Sequence, residues 1–315
     1  MITARTELLG DDPAGLSRAA EILSAGGLVA MPTETVYGLA ADARNDMAVA
    51  RIFEAKGRPR FNPLIVHLAD AKDAQLYVAW PDMAQKLADA FWPGPLTLIL
   101  PLRPEAGLSP LVTADLPSLA VRVPAHPLAR RLLQRFGGPV AAPSANPSGR
   151  ISPTEARHVL DGLSGKIDAV VDGGACPVGV ESTIVGLTGR PTLLRPGGVP
   201  GEEIEAVLGQ PLEHPSPDGP ISAPGQLRSH YAPGASVRLN ATELKDGEIL
   251  LGFGAVDCAL NLSATGDLTE AAANLFGHLH ALDALNPNGI AVSPIPETGL
   301  GRAINDRLRR AAAPR

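Results

Sequence analysis

Cysteine is nearly missing: the 315 residues contain two, Cys176 and Cys258, and no CxxC pair. Neither a zinc ribbon nor a disulfide framework is supported, and each thiol reads as an ordinary buried side chain. Aromatic residues are scarce at 3%, which leaves few platforms for stacking bases and argues against a factor that binds RNA directly. No apolar run reaches the roughly 18 residues that a membrane helix needs. The start, MITARTELLGDDP, has no apolar leader core, so the expectation is a cytoplasmic protein without a membrane contact. Positive charge is not in excess: 27 Lys and Arg stand against 33 Asp and Glu, a net charge of −6. Any anion site must therefore be a local cluster. GxGxxG and GxxxxGK[ST] are both absent, which removes two common nucleotide cradles. So are HExxH, a carboxylate-rich metal cage and any Ser-His-Asp or Cys-His order.

Glycine and proline are plentiful, 33 and 31, without period, which points to many tight turns between short elements. The length favours two domains. Apolar runs predict strands over 28–33, 63–68, 96–102, 119–125, 139–145 and 167–174, with a hairpin over 182–197. Helical spacing falls at 13–25, 45–57, 126–138 and 201–209, each stopped by glycine. Ser152, Pro153 and Glu155 read as a capping box that opens a helix over 152–163. Strands and helices alternate irregularly, so the expected fold is α/β with a twisted mixed sheet. Residues 210–235 hold a Pro-rich linker that carries Arg228, His230 and Tyr231. The division is therefore a first domain over 1–209, the linker over 210–235, and a small C-terminal α/β domain over 236–315.

The polar groups cluster at strand ends and loops, where α/β proteins bind ligands. PTETVY puts Thr33, Glu34, Thr35 and Tyr37 after the first strand. KGRPRFNPLIVHL places Lys56, Arg58 and Arg60 on a short loop, followed by Asn62 and His67. The plain alternative is a solvated turn whose cations suit a helix C-terminus. Arg122 lies inside an apolar strand, where a charge must be paired with a protein carboxylate or a ligand anion. APSANPSGRIS brings Ser144, Asn146 and Ser152 to one loop; VESTIV offers Glu181 and Ser182, and LLRPGG offers Arg195. A set of cations and hydroxyls without a nucleophile suits nucleotidyl or phosphoryl transfer, where catalysis is largely positioning and charge stabilisation.

In order along the chain, PTETVYGL, KGRPRFNPL, FWPGPLTLIL, VRVPAHP, APSANPSG, VESTIV and LLRPGG resemble the YrdC-type threonylcarbamoyl-AMP synthases, and PGQLRSHYAP with the second domain resembles their longer, two-domain branch. The resemblance implies a YrdC-like sheet with a concave basic pocket and a Rossmann-like C-terminal domain. It implies that L-threonine, bicarbonate and ATP, with Mg²⁺ accompanying the ATP, become threonylcarbamoyl-AMP and pyrophosphate. The product then passes to a tRNA threonylcarbamoyl transferase complex that modifies an adenosine of ANN-decoding tRNAs, with at most a weak RNA contact of the chain itself. By the same resemblance Lys56, Arg58, Ser144 and Asn146 are catalytic and hold bicarbonate and phosphate. Thr35, His67, Arg122, Ala142 and Ser182 surround threonine, Ala142 through its backbone. Arg58, Asn62, Ser118, Ser144, Ser152, Arg195 and Tyr231 contact ATP. Leu227 and Ser229 stand where some relatives carry Lys and Arg, with Arg228 between them. The rival classes are an RNA-binding factor, a carbamoyl-transfer module of hydrogenase maturation, and a non-catalytic threonine or nucleotide sensor.

Overall fold

The computed structural model describes residues 5–215, 223–225 and 229–314. Leu227 and Arg228 therefore lie outside the described residues.

Ten strands build one mixed sheet: β1 (Glu7–Leu9), β2 (Val29–Met31), β3 (Gly38–Asp42), β4 (Ile65–His67), β5 (Leu96–Pro101), β6 (Ser118–Arg122), β7 (Val140–Ala141), β8 (Ala169–Val171), β9 (Thr183–Gly186) and β10 (Thr192–Arg195). Their spatial order is β1-β8-β2-β3-β7-β4-β6-β5-β9-β10. Parallel pairs such as β4/β6 and β5/β9 sit among antiparallel pairs such as β5/β6 and β9/β10. The helices between them are α1 (Pro13–Ser24), α2 (Asp46–Lys56), α3 (Ala71–Ala74), α4 (Asp82–Phe91), α5 (Pro110–Thr113), α6 (Pro127–Phe136), α7 (Ala156–Leu163) and α8 (Gly201–Leu208). α4 lies in a stretch to which the sequence pattern above assigns nothing. α2 is capped by Asn45 and ends at Gly57 with φ 59°, a left-handed turn that suits glycine.

Strand alternation divides the buried residues between two faces. On one face, Leu39, Val66, Leu98 and Val121 pack against α2, α4, α7 and α8. On the other, Val29, Met31, Ala40 and Val140 pack against α1 and α6. Those two helices reach only half of this second face. The remaining half carries a small apolar group, Ile65, Ile99, Ala120 and Ile184, with Ala223 of the linker packed on it. The site lies on this half-face.

The expected capping box at Ser152 is not formed. α7 begins at Ala156, the residue before it is Glu155, and no side chain caps it. Ser152 instead gives its hydroxyl to Glu181, so a tertiary bond has displaced a local one.

A second sheet, all parallel, runs β11-β14-β12-β13, from β11 (Ser236–Arg238), β12 (Glu248–Gly252), β13 (Leu260–Asn261) and β14 (Gly289–Val292). α9 (Leu268–Asp283) and α10 (Leu300–Ala311) pack against it. The core they form also takes in Val36, Ile151, Val180 and Tyr231. Backbones approach closely here: a Cβ on Gly179, at φ 72°, would lie 2.3 Å from the Ala272 carbonyl of α9. Among the described residues, no helix is long and apolar enough to cross a membrane.

Candidate active site

The parallel register of β4 and β6 sets His67 beside Arg122, both at strand ends on the half-covered face. Arg122 donates from Nη2 to Glu34 Oε1 at 2.5 Å, from Nη1 to Thr35 Oγ1 at 3.0 Å, and from Nε to the Gly94 carbonyl at 3.2 Å. Its partner is therefore a protein carboxylate, one of the two possibilities that its sequence setting leaves open. The other oxygen of Glu34 accepts from the Ala125 and His126 amides at the start of α6, where a helix N-terminus favours negative charge. His67 Nδ1 lies 3.3 Å from the Ile65 carbonyl. A carbonyl can only accept, so Nδ1 carries the proton and Nε2 keeps a lone pair. Burial, and then the Arg122 charge, push this imidazole down to about 3, so it is neutral.

The cation-rich loop folds back on itself. Lys56 donates to the Ser144 and Asn146 carbonyls at 2.6 and 2.5 Å and so staples the 144–146 loop to the end of α2. Arg58 donates to the Asn62 and Pro63 carbonyls at 3.2 and 2.8 Å. Burial pushes Lys56 well below its ordinary value, and Arg58 down to about 9. Arg195 clamps Ser182, with Nε and Nη2 at 3.1 and 2.9 Å from its carbonyl, and reaches the Pro224 carbonyl of the linker at 3.3 Å. Ser182 Oγ lies 2.7 Å from Thr97 Oγ1. Among the described residues, neither Arg58 nor Arg195 forms an ion pair with a carboxylate. Two buried guanidiniums are held by carbonyls and a hydroxyl, and Glu181 balances the Arg195 charge only without a hydrogen bond, which leaves both able to take an anion.

Glu181 is buried between Ser152 Oγ at 2.5 Å and Arg307 Nε at 2.8 Å. Burial alone would raise its pKa, but the Arg307 and Arg195 charges and the two hydrogen bonds outweigh it and hold it low. Tyr231 of the linker is fully buried at φ 61°, edge-on to His230 and beside Phe276 of α9.

Several of these groups line a partly open cavity of about 50 Å³. Of the residues singled out from the sequence, Thr33, Thr35, Arg58, His67, Arg122, Ala142, Ser144, Glu181, Ser182, Arg195, His230 and Tyr231 line it. The Ala142 N–H is already given to the Ile65 carbonyl. Lys56, Asn62, Ser118, Asn146 and Ser152 are not among the lining residues. Lys56 and Ser152 are turned to the partners given above. Asn146 donates to the Pro147 and Arg150 carbonyls, and its Oδ1 is buried without a partner among the described residues, as are both amide atoms of Asn62. Ser118 shares the face of Ala120 and Arg122 but sits at the other end of β6, roughly 13 Å from Arg122 at ~3.3 Å per residue. Three participants had no role assigned from sequence. Glu34 and Glu181 were named within their motifs, where an acid beside a buried arginine was the available signal. Arg307 gives none, because an arginine on an amphipathic helix reads as a solvated face.

The model described as Sua5_yciO_yrdC, telomere recombination, matches residues 21–197. The model for the threonylcarbamoyl-AMP synthase C-terminal domain matches 199–313. The threonylcarbamoyl-AMP synthase of Bacillus subtilis is 43% identical over 335 residues, covering 98% of this chain and 96% of its own. That of Pyrococcus abyssi is 43% identical over 318 residues and covers 93% of each chain. The crystal structure of P. abyssi Sua5 complexed with L-threonine superposes with a TM-score of 0.89 at 40% identity, covering 98% of this chain and 97% of that one.

Proposed function

Because the chain belongs to the two-domain branch of the Sua5/YrdC threonylcarbamoyl-AMP synthase family, we propose that its cavity joins L-threonine, bicarbonate and ATP into threonylcarbamoyl-AMP and pyrophosphate. The observation that carries this reading is the convergence on one cavity of the Arg122–His67 pair with Arg58 and Arg195, both buried and, among the described residues, hydrogen-bonded to no carboxylate.

The threonine carboxylate is placed on Arg122 and Thr35, whose geometry Glu34 fixes beforehand. The lone pair of His67 Nε2 accepts a hydrogen bond from the threonine hydroxyl or amine. The amine adds to bicarbonate with loss of water, giving a carbamate. A carbamate oxygen then attacks the α-phosphorus and pyrophosphate leaves. Arg58 and Arg195 hold the phosphates and spread the charge that develops, with Ser182, Ser144 and Asn146 as hydrogen-bonding groups. Lys56 contributes by fixing the Ser144–Asn146 backbone. The apolar half-face, Ile65, Ile99, Ala120 and Ile184, is the floor for the adenosine, with the unpartnered amide of Asn62 and the Ser118 hydroxyl at its far end.

Mg²⁺ bound with ATP would offset the triphosphate charge. Among the described residues Glu181, which lines the cavity, is taken by Ser152 and Arg307, and Glu34 by Arg122, so phosphate oxygens and water would be its ligands.

A cavity of about 50 Å³ is the space of a few waters. Pro224, Gly225, His230 and Tyr231 form one wall of it, so the linker acts as a lid that opens for entry and closes over bound substrates. The domain division follows the same lines: 1–209 carries the chemistry, 210–235 the lid, and 236–315 a Rossmann-like unit. The product goes on to a tRNA threonylcarbamoyl transferase complex acting on ANN-decoding tRNAs in the cytoplasm.

The test is pyrophosphate release from ATP and Mg²⁺ with threonine and bicarbonate omitted in turn. Release that requires both is expected. Release that requires neither would make the chain a nucleotidase.

A further inference from the structure

Strand β5 alternates along its length. Leu96, Leu98 and Leu100 join the core of Leu39, Val66 and Val121, and Ile99 turns to the half-covered face. Thr97 shares the side of Ile99, as period two requires. It is fully buried and does not line the cavity. The parallel register sets it beside Ile184 of β9, two residues past Ser182. Its Oγ1 lies 2.7 Å from Ser182 Oγ. A hydroxyl so deeply buried in an apolar strand is costly unless its hydrogen is used.

Counting hydrogens gives the direction of that bond. A hydroxyl has one hydrogen to give and two lone pairs to fill. Among the described residues, Ser182 Oγ is the one acceptor that the Thr97 hydroxyl reaches. Were Ser182 the donor, the Thr97 hydrogen would be buried with no partner, at the full desolvation penalty. Thr97 therefore donates. Ser182 Oγ takes a second hydrogen from Arg195 Nη2 at 3.2 Å. Both its lone pairs are then filled and its own hydrogen is left over. Ser182 lines the cavity, so that hydrogen has the cavity to point into. We propose that Thr97 is a positioning residue: by giving its hydrogen to Ser182, it fixes the Ser182 hydroxyl as a donor to an anionic oxygen of the substrate. This rests on the reading of the cavity as the synthase site. His67 is set the other way, since its Nε2 offers a lone pair. The two signs sort the ends of an amino acid, with negative oxygens drawn to Ser182 and amine or hydroxyl hydrogens to His67.

Two variants of the full chain separate the hydroxyl from the packing. Thr97→Val keeps the shape of the side chain and removes the hydroxyl; Thr97→Ser keeps the hydroxyl and removes the methyl group. The valine variant should lose about fivefold in kcat/KM, the weight of orienting one hydrogen bond to a charged group, and melt close to wild type. The serine variant should stay within about twofold of wild-type activity and melt lower, because a methyl-sized gap is left in the strand face. The reverse order makes Thr97 a packing residue and overturns the proposal, as do two equally active variants. In a Ser182→Ala background, Thr97→Val should cost nothing further, because the hydroxyl it orients is gone; a second fivefold loss overturns the proposal. The kinetic constant that moves names the oxygen: the KM of threonine for its carboxylate, the KM of ATP for a phosphate, kcat alone for an oxygen that gains charge during the reaction. Neutron diffraction from wild-type crystals exchanged into D₂O needs no variant. The deuterium between the two oxygens should belong to Thr97, and a Ser182 deuterium in that place overturns the proposal. Wild-type protein that releases no pyrophosphate, with the deuterium on Thr97, refutes the synthase reading alone. Active wild type with an indifferent valine variant refutes only the role of Thr97.

Discussion

The two ends of the cavity handle buried cations in opposite ways. At the end proposed for threonine, Arg122 is neutralised by Glu34, which also anchors the start of α6. At the end proposed for the phosphates, Arg58 and Arg195 are held by carbonyls and a hydroxyl. A neutralised cation is part of the fold and offers a fixed direction to a ligand. One held by no carboxylate hydrogen bond weakens the fold and offers charge. The first arrangement suits a small zwitterion, the second a polyphosphate.

The comparison is easiest to break at the phosphate end. Arg195→Ala removes charge, the Ser182 clamp and the tie to Pro224, and kcat/KM should fall ~10³-fold, about 4 kcal/mol in the transition state. Its urea midpoint should move less than that of a change at the other end; equal losses of stability would erase the distinction. Glu34→Gln is the counterpart. It strands Arg122 in a buried site and should cost ~3 kcal/mol of stability in urea unfolding.

Acid should affect both ends alike. Burial pushes His67 and His230 each down to about 3. Below the unfolded value near 6.5, the unfolded chain takes up a proton that the folded chain refuses. Stability is therefore level above pH 6.5 and falls as pH drops toward 3. Between pH 7 and pH 5 each histidine should account for a loss of ~2 kcal/mol, and His67→Asn should remove its share. An unaltered pH slope in that variant would place the acid sensitivity elsewhere. The smallest effect is at the far end of the half-face. Ser118→Ala should raise the KM for ATP about threefold, the weight of one neutral hydrogen bond, and leave threonine binding alone. A shift in threonine binding instead would break the proposed order along β6.

Much of this was legible in the sequence because it depends on local pattern. The helix over 45–57, its stop at Gly57 and the hairpin of β9 and β10 all follow from neighbouring residues. So does the arrival of polar groups at strand ends. What was hidden depends on contacts distant in sequence. Ser152 carries a sound capping pattern, and only the position of Glu181, 29 residues on, diverts it. Lys56 and Arg58 are visible as cations, but nothing local says that backbone carbonyls will receive them. Arg307 meets Glu181 across 126 residues, and no spacing rule spans that distance.

The mixed membership of the second core bears on modularity. Val36, Ile151 and Val180 belong to the first domain by sequence, yet they are buried among α9 and α10. A chain cut at residue 209 would keep every strand of the large sheet and still turn three aliphatic side chains toward water. Val36 is also the neighbour of Thr35, which bonds Arg122. The seam between the domains thus runs within one residue of Thr35 and its bond to Arg122, and a cut at the apparent boundary would disturb that end of the cavity.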